Sequence, residues 1–316
     1  MKAKILLVED DDALRGMTRL FLETEGFEVE AVRNGHIALE SFHTVQPDLI
    51  ISDIGMPEMN GFQLLEAIRN CDAGAGMPFL FVSAYSERQD VSHARRLGVD
   101  DYLFKPFEMQ DLLDAIEIRL SRRRAMQLAD TCEAHLQTVT ILANSIEARD
   151  AYTGGHVGRV RDYALALAQE LEWDQAALLV LKFGAILHDI GKITIPDQVL
   201  NKPGNLSREE LDVMRSHAEV GTHMLKEITH LQAALPYIRH HHERWDGKGY
   251  PQQLCADAIP MEGRLLAIVD AFDAMTTDRP YRKAMPKTQA LERLEQDSGL
   301  HFDPVMANVF VEIMRQ

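Results

Sequence analysis

Tryptophan and cysteine are scarce in this chain, with two and three residues among 316. The thiols Cys71, Cys132 and Cys255 stand far apart with no CxxC pair, which fits a reduced cytosolic compartment better than a disulfide-stapled one. No stretch approaches the roughly 18 uninterrupted apolar residues of a membrane span. The early apolar run Ile5 to Val8 is too short for the core of a signal peptide, and acids follow it at once. Positive charge is also in deficit. Lys and Arg number 33 against 49 Asp and Glu, a net charge of −16, which argues against nucleic acid or an anionic membrane as main partner. What remains is 46% hydrophobic and 26% charged, the balance of a soluble globular protein long enough for two domains.

The two halves follow different patterns. Over residues 1–121, short apolar runs alternate with helical periodicity: KILLV (4–8), DLIIS (48–52), PFLFVS (78–83) and DYLF (101–104) read as strands. Leu14, Met17, Phe21 and Leu22 mark the inward stripe of a first helix, and Phe62, Leu65 and Ile68 that of another. Such alternation predicts an α/β doubly wound parallel sheet, five-stranded, with ligands at the carboxyl ends of its strands. Residues 122–150 read as a connecting helix, with Arg122, Arg123 and Arg124 at a solvated boundary. Leu128, Leu136, Val139 and Leu142 continue it, and its mixed apolar and charged surface suggests a homodimer seam. Residues 151–316 are almost wholly helical, an all-α domain whose first helix starts within the connector.

In the first half the polar residues fall at strand ends: Glu9 and Asp10, then Asp53, Ser83, and Lys105 before Pro106. Carboxylates gathered in one cleft need a cation, and hard oxygen ligands suit Mg²⁺ or Mn²⁺. A lysine and a small hydroxyl opposite them suit a phosphoryl group. With DIGMPEMNG around Asp53, Ser83-Ala84, Tyr102 and Lys105-Pro106, residues 1–121 resemble a response-regulator receiver domain. The resemblance makes Asp53 the phosphoacceptor and places Mg²⁺ on Glu9, Asp10, Asp53 and the carbonyl of Gly55. It makes Ser83 and Tyr102 the switch pair and brings Lys105 to the phosphoryl group. Glu9 stands where many members have Asp.

In the second half the most informative stretch is HHERWDGKGYP, His241 to Pro251. Adjacent histidines on a helix point about 100° apart, so both serve one site only at a metal cluster or tight turn. Glycines 247 and 249 permit positive φ or a close backbone approach. Ten of the 13 histidines lie after residue 130. His223, His230, His240 and His301 read as surface residues. His156 heads a helix after a Gly-Gly turn, and His188-Asp189 ends the run LLVLKFGAIL, too apolar for a surface helix. A polar pair there needs hydrogen bonds or a metal. His217 lies on RSHAEVGTHM, and Asp270 and Asp273 interrupt the apolar run AIVDAFDAM. Any one alone reads as a satisfied core residue; together they favour a metal cluster. Imidazoles mixed with carboxylates suit Fe, Mn, Zn, Co or Ni. A shared acid such as Asp189 can bridge two ions about 3.5–4 Å apart, a pair that activates water and polarises a phosphodiester. Lys192, Arg279 and Arg282 supply cationic donors.

EARDAYTGGH (147–156), HDIGK (188–192), the His217 helix, HHERWDGKGYP and VDAFDAMTTDRPYR (269–282) resemble the HD-GYP family of metal-dependent phosphodiesterases over about residues 126–316. The resemblance implies a cytoplasmic enzyme that opens cyclic di-GMP to linear pGpG, or on to GMP, at two divalent metals, with Fe or Mn favoured. Its metal ligands would be His156, His188, Asp189, His217, His241, His242 and Asp270, with Asp189 and Lys192 central to catalysis. Lys192, Gly249, Tyr250, Asp273, Arg279 and Arg282 would contact or orient the substrate. Some members carry Glu one turn before the first metal histidine and bind a third ion. That position here is Tyr152, which implies two metals, and Glu147 reads as structural. The implied partners are a histidine kinase acting on Asp53, cyclic di-GMP, diguanylate cyclases and a second copy of the chain. Competing readings are hydrolysis of another cyclic dinucleotide, such as a mixed GMP–AMP ring, and a signalling adaptor that binds nucleotide or cyclases without turnover.

Overall fold

A computed structural model describes residues 2–71, 74–84, 96–149, 155–278 and 283–316. Two compact units divide between Thr131 and Cys132. The division falls inside one long helix, Met109–Glu147.

Three runs of Val, Ile, Leu and Phe in the first unit form strands β1 (Lys4–Val8), β3 (Leu49–Ser52) and β4 (Phe79–Ser83), almost completely buried. Burial on both faces is what a parallel sheet covered by helices demands. β2 (Glu28–Val32) and β5 (Asp101–Phe104) flank them in a five-stranded parallel sheet of order β2-β1-β3-β4-β5. Helices α1 (Asp12–Thr24), α2 (Gly35–Val45) and α3 (Gly61–Arg69) each begin at a side-chain cap, Asp11, Asn34 and Asn60. Each cap oxygen accepts an amide that the first turn leaves unpaired.

The α1 stripe differs from its reading in one place. Met17 is 56% exposed, while Thr18 and Leu22 are buried. The sheet-facing row runs through Thr18 and Leu22 at i, i+4, which turns Met17 about 100° away. The long helix, α4, buries Leu112, Ile116 and Leu120 against the sheet. Arg123 is half-buried rather than solvated, its guanidinium donating to the carbonyl of Asp48 at 2.5 Å.

The second unit packs helices around one core that includes Val160, Leu181, Tyr237, Leu266, Phe272 and Phe310. Its main elements are α5 (His156–Glu170), α6 (Gln175–Leu187) and a 3₁₀ turn (Ile190–Thr194), followed by α7 (Asp197–Leu200), α8 (Arg208–Arg215) and α9 (His217–Leu225). A second 3₁₀ turn (Thr229–Ala234) leads to α10 (Leu235–His240), α11 (Met261–Thr276), α12 (Lys287–Gln296) and α13 (Pro304–Arg315). His223 and His230 are exposed as expected. His240 is not: it is buried where the glycine of α11, Gly263, lets that helix approach its Cβ and carbonyl. No described helix is long and apolar enough to cross a membrane.

Candidate metal centre and phosphoacceptor pocket

Parallel register brings the strand ends of the first unit level. Val8 pairs with Ser52, and Ser83 with Phe104. Glu9, Asp10 and Asp53 therefore present carboxylate oxygens within 4.8 Å of one another. Lys105 Nζ bridges Glu9 Oε2 at 2.7 Å and Asp53 Oδ2 at 2.5 Å. Burial raises the Glu9 carboxyl above its ordinary range against the opposing pull of Lys105. Asp53 Oδ1 accepts the amides of Ile54 and Gly55, so Gly55 presents its N–H to the acid. A side chain at Gly61 would meet the Asp53 carbonyl at 2.4 Å, which explains the glycine after MPEMN. Ser83 is fully buried at the end of β4, and the Tyr102 ring lies 4.7 Å from that of Phe104.

In the second unit four helix ends converge. α5 begins at His156, α6 ends into His188-Asp189, α9 begins at His217, and α10 ends into His241-His242. A histidine at a helix end can turn its ring across the axis into a shared centre. Asp189, His217, His241 and His242 form one group of ligand atoms within 4.8 Å, and His156, His188 and Asp189 a second. Asp189 belongs to both. Its Oδ1 lies 3.3 Å from His217 Nε2 and 3.9 Å from His241 Nε2, while Oδ2 lies 3.3 Å from His188 Nε2. Asp270, on α11, comes within 3.5 Å of His156 Nε2.

The back sides of the rings are fastened. Nδ1 of His188, His217 and His241 meets the carbonyls of Ala185, Met214 and Ile238 at 2.7–2.9 Å. With Nδ1–H on the carbonyl, a neutral ring turns its Nε2 lone pair inward, the tautomer a metal needs. Burial drives the His242 imidazole down to about 3 and His241 well below its usual range. His188 runs the other way. Burial opposes its proton, but the adjacent Asp189 outweighs that and holds it up to about 9. Asp189 Oδ1 is buried without a hydrogen-bond partner. A bare carboxylate oxygen beside inward-facing imidazole nitrogens is costly unless a cation completes it. The donor set therefore fits divalent metal, which His156, His188, Asp189, His217, His241, His242 and Asp270 would hold.

Lys192 Nζ sits on Asp189 Oδ2 at 2.5 Å, so it enters the centre through the shared acid. The Tyr250 ring stacks on His242 with centroids 4.7 Å apart, and Arg215 lies 5.3 Å over the same ring. Gly249 is buried, and a side chain there would meet the backbone of His242, Glu243 and Arg244 at 2.4–2.6 Å. Its absent side chain is what closes the turn. Asp273 lies 2% exposed behind His156, bonded to its Nδ1 at 2.7 Å, so it faces a candidate ligand histidine. Glu147 accepts the His156 amide at 2.8 Å and so caps α5. Tyr152, Arg279 and Arg282 lie outside the described residues.

Three residues that the sequence reading passed over hold this site. Glu243, buried at 2%, accepts the amides of Gln252 at 2.7 Å and Leu254 at 3.1 Å, pinning the turn that carries Tyr250. Arg149 donates to the carbonyls of Ile193 and Ile195 and to Asp197, fixing the chain just after Lys192. Arg159 grips Asp273 through Nε at 2.5 Å and an Nη at 3.1 Å. An acid inside HHERWDG was a usable signal for Glu243. The two arginines carried none, because these partners are 43 or more residues away along the chain.

Comparison with known proteins agrees with both halves. A model of the HD domain matches residues 140–306, more than half the chain, and one of the response regulator receiver domain matches residues 5–117. This chain is a receiver–HD-domain response regulator. It is 32% identical to a probable cyclic di-GMP phosphodiesterase of Vibrio cholerae, over 97% of this chain and 77% of that protein. Identity is 31% to the cyclic di-GMP phosphodiesterase response regulator RpfG of Xanthomonas campestris, over 95% of this chain and 85% of that one. A 3'3'-cGAMP-specific phosphodiesterase 2 of Vibrio cholerae is 36% identical over 68% of this chain and 43% of its own length. In this receiver–HD protein the candidate carboxylates lie at strand ends and the candidate histidines at helix ends.

Proposed function

We propose that this response regulator hydrolyses cyclic di-GMP to pGpG, or on to GMP, at a two-metal centre whose activity follows phosphorylation of Asp53. The observation that carries the reading is Asp189, whose two oxygens face separate histidine groups and one of which is buried without a hydrogen-bond partner. His156, His188 and Asp270 would hold one ion and His217, His241 and His242 the other, with Asp189 common to both. Fe or Mn suits these donors, and Mg²⁺ suits Glu9, Asp10 and Asp53. Bound divalent ions supply Lewis acidity toward the phosphodiester and an activated water. The chain's own residues do the rest. Lys192 orients the shared carboxylate and offers positive charge to the phosphate. Glu243 and Gly249 hold the turn so that Tyr250 walls the mouth over His242, and Arg279 and Arg282 would contact or orient the substrate as cationic donors.

The partners in this reading are a histidine kinase, diguanylate cyclases and a second copy of the chain, in the cytoplasm. The test is anaerobic incubation of Fe- or Mn-loaded protein with cyclic di-GMP, with product analysis, beside Asp189→Asn. Wild type should release pGpG and the variant should lose at least 100-fold in rate, since one substitution strips a ligand from both ions. Intact substrate with the loaded wild type would sink the proposal. The cGAMP-specific relative favours one second reading, a mixed GMP–AMP ring as substrate. Turnover of both rings by the same preparation separates the two.

A further inference from the structure

The four ligand histidines with a fastened Nδ1 are not held alike. Three of them, His188, His217 and His241, give that nitrogen to a main-chain carbonyl three residues back. His156 alone among these four gives it to a carboxylate, Asp273, at 2.7 Å. That carboxylate is in turn gripped from the other side by Arg159, through Nε to Oδ1 and an Nη to Oδ2, and the same guanidinium reaches Thr277 Oγ1 at 3.3 Å. Asp273 itself is 2% exposed. The arginine and histidine lie three residues apart on α5, and the acid comes from α11, 114 and 117 residues away. The arrangement therefore exists only when α5 and α11 are packed.

A carboxylate behind an imidazole orients the ring and strengthens its lone pair more than a neutral carbonyl does. It also carries a full charge into a buried place, which is costly unless a cation partners it. Arg159 is that partner. We propose that Arg159 and Asp273 are a positioning pair that sets the metal affinity of one ion position only, the one formed by His156, His188, Asp189 and Asp270, while in the other position main-chain carbonyls back His217 and His241. The two positions are then unequal by construction. This rests on the two-metal reading above, and it moves Asp273 from the substrate to the ligand shell.

The test uses the full chain, stripped and titrated with Mn²⁺ over an excess of Mg²⁺ that fills the Glu9, Asp10 and Asp53 pocket, following Mn²⁺ stoichiometry by elemental analysis and ion coupling by electron paramagnetic resonance. Wild type should take two ions and show the coupled pair. Asp273→Asn and Arg159→Gln should each weaken one ion by about 10- to 100-fold, the usual cost of losing such an outer partner. The second ion should stay within about threefold of wild type, and the coupled signal should give way to an isolated Mn²⁺ signal at one ion per chain. Asp273→Glu, which keeps the charge on a longer arm, should recover part of the lost affinity, a recovery that mere packing would not produce. Equal weakening of both ions, or two ions at wild-type affinity in Asp273→Asn, would overturn the proposal. A wild type that takes a single ion would overturn the two-metal reading instead. Even then, weakening of that ion by Asp273→Asn upholds the pair, and an unchanged affinity refutes it.

Discussion

One of the tightest glycine contacts among the described residues lies under the HDIGK turn. A Cβ at Gly191 would lie 2.0 Å from the carbonyl oxygen of His217 and 2.7 Å from the amide of Gly221, both main chain. Ordinary contact begins near 3.4 Å, so Gly191→Ala must part the turn from α9 by about 1.4 Å. That shift is aimed at the centre, because Asp189 and Lys192 ride on the turn and His217 opens the helix. A misplacement on the order of 1 Å costs roughly 100-fold in rate, about 2.7 kcal/mol of barrier. Overpacking adds about 1–3 kcal/mol of lost stability. Gly221→Ala supplies the graded case, since its Cβ would meet Ile190, Gly191 and Ile238 at 3.0–3.1 Å, which side chains can partly relieve. Activity on cyclic di-GMP should fall in the order wild type, Gly221→Ala, Gly191→Ala, with kcat/KM and the metal content read together with melting temperature. Gly16→Ala on α1, with nothing among the described residues within 4 Å, should keep wild-type activity. A Gly191→Ala protein within threefold of wild-type kcat/KM would refute the reasoning, because the approach of the turn to α9 would then not position Asp189.

Three further outcomes follow from the same geometry. Glu243→Ala frees the amides of Gln252 and Leu254, so KM should rise about tenfold or more while two ions per chain are retained, by activity assay and metal analysis. Asp53→Asn should take up no phosphoryl group from a small-molecule phosphodonor, and the donor's effect on wild-type turnover should vanish in the variant. Burial, aided by Arg239, holds His240 down to about 4, so between there and the unfolded value near 6.5 the unfolded chain binds a proton that the folded one does not. Stability is then lost as pH falls through that window, by about 2 kcal/mol from pH 7 to pH 5, and His240→Gln should shed that slope in urea melts of chelator-treated protein.

The doubly wound sheet was legible because three of its strands are unbroken apolar runs, a pattern tied to burial on both faces. β2 was not among the strands read, and its composition explains why. EVEAV carries acids at its exposed positions because it is an edge strand, with only Val29 and Val32 fully buried. Met17 misled for a related reason: apolar content marks a helix's inner face only on average, and a buried threonine on the true i, i+4 row outweighs a methionine beside it. His240 was misjudged because its burial is decided by Gly263 on another helix, a contact that no local pattern contains.

The candidate site divides along the same line. The candidate metal donors announce themselves chemically, since His188-Asp189 at the end of an apolar helix or His241-His242 beside a glycine turn has few inexpensive alternatives in a core. Residues that hold those donors do not. Asp273 was visible as an acid in an apolar run, but whether it faced substrate or a histidine depended on the packing of α11 against α5, which brings it to 2.7 Å from His156 Nδ1. Arg159 and Arg149 looked like ordinary surface cations, and each proves to be tied to a group 44 or more residues away. Spacing in the chain thus points to the candidate ligands, whose chemistry is intrinsic, whereas the residues behind them are defined only by where the fold brings its charges together. The separation has a consequence for substitution. A ligand changed to another donor alters which ion binds, while a change at Asp273 or Glu243 leaves the donor list intact and alters how tightly, and in what orientation, it is presented.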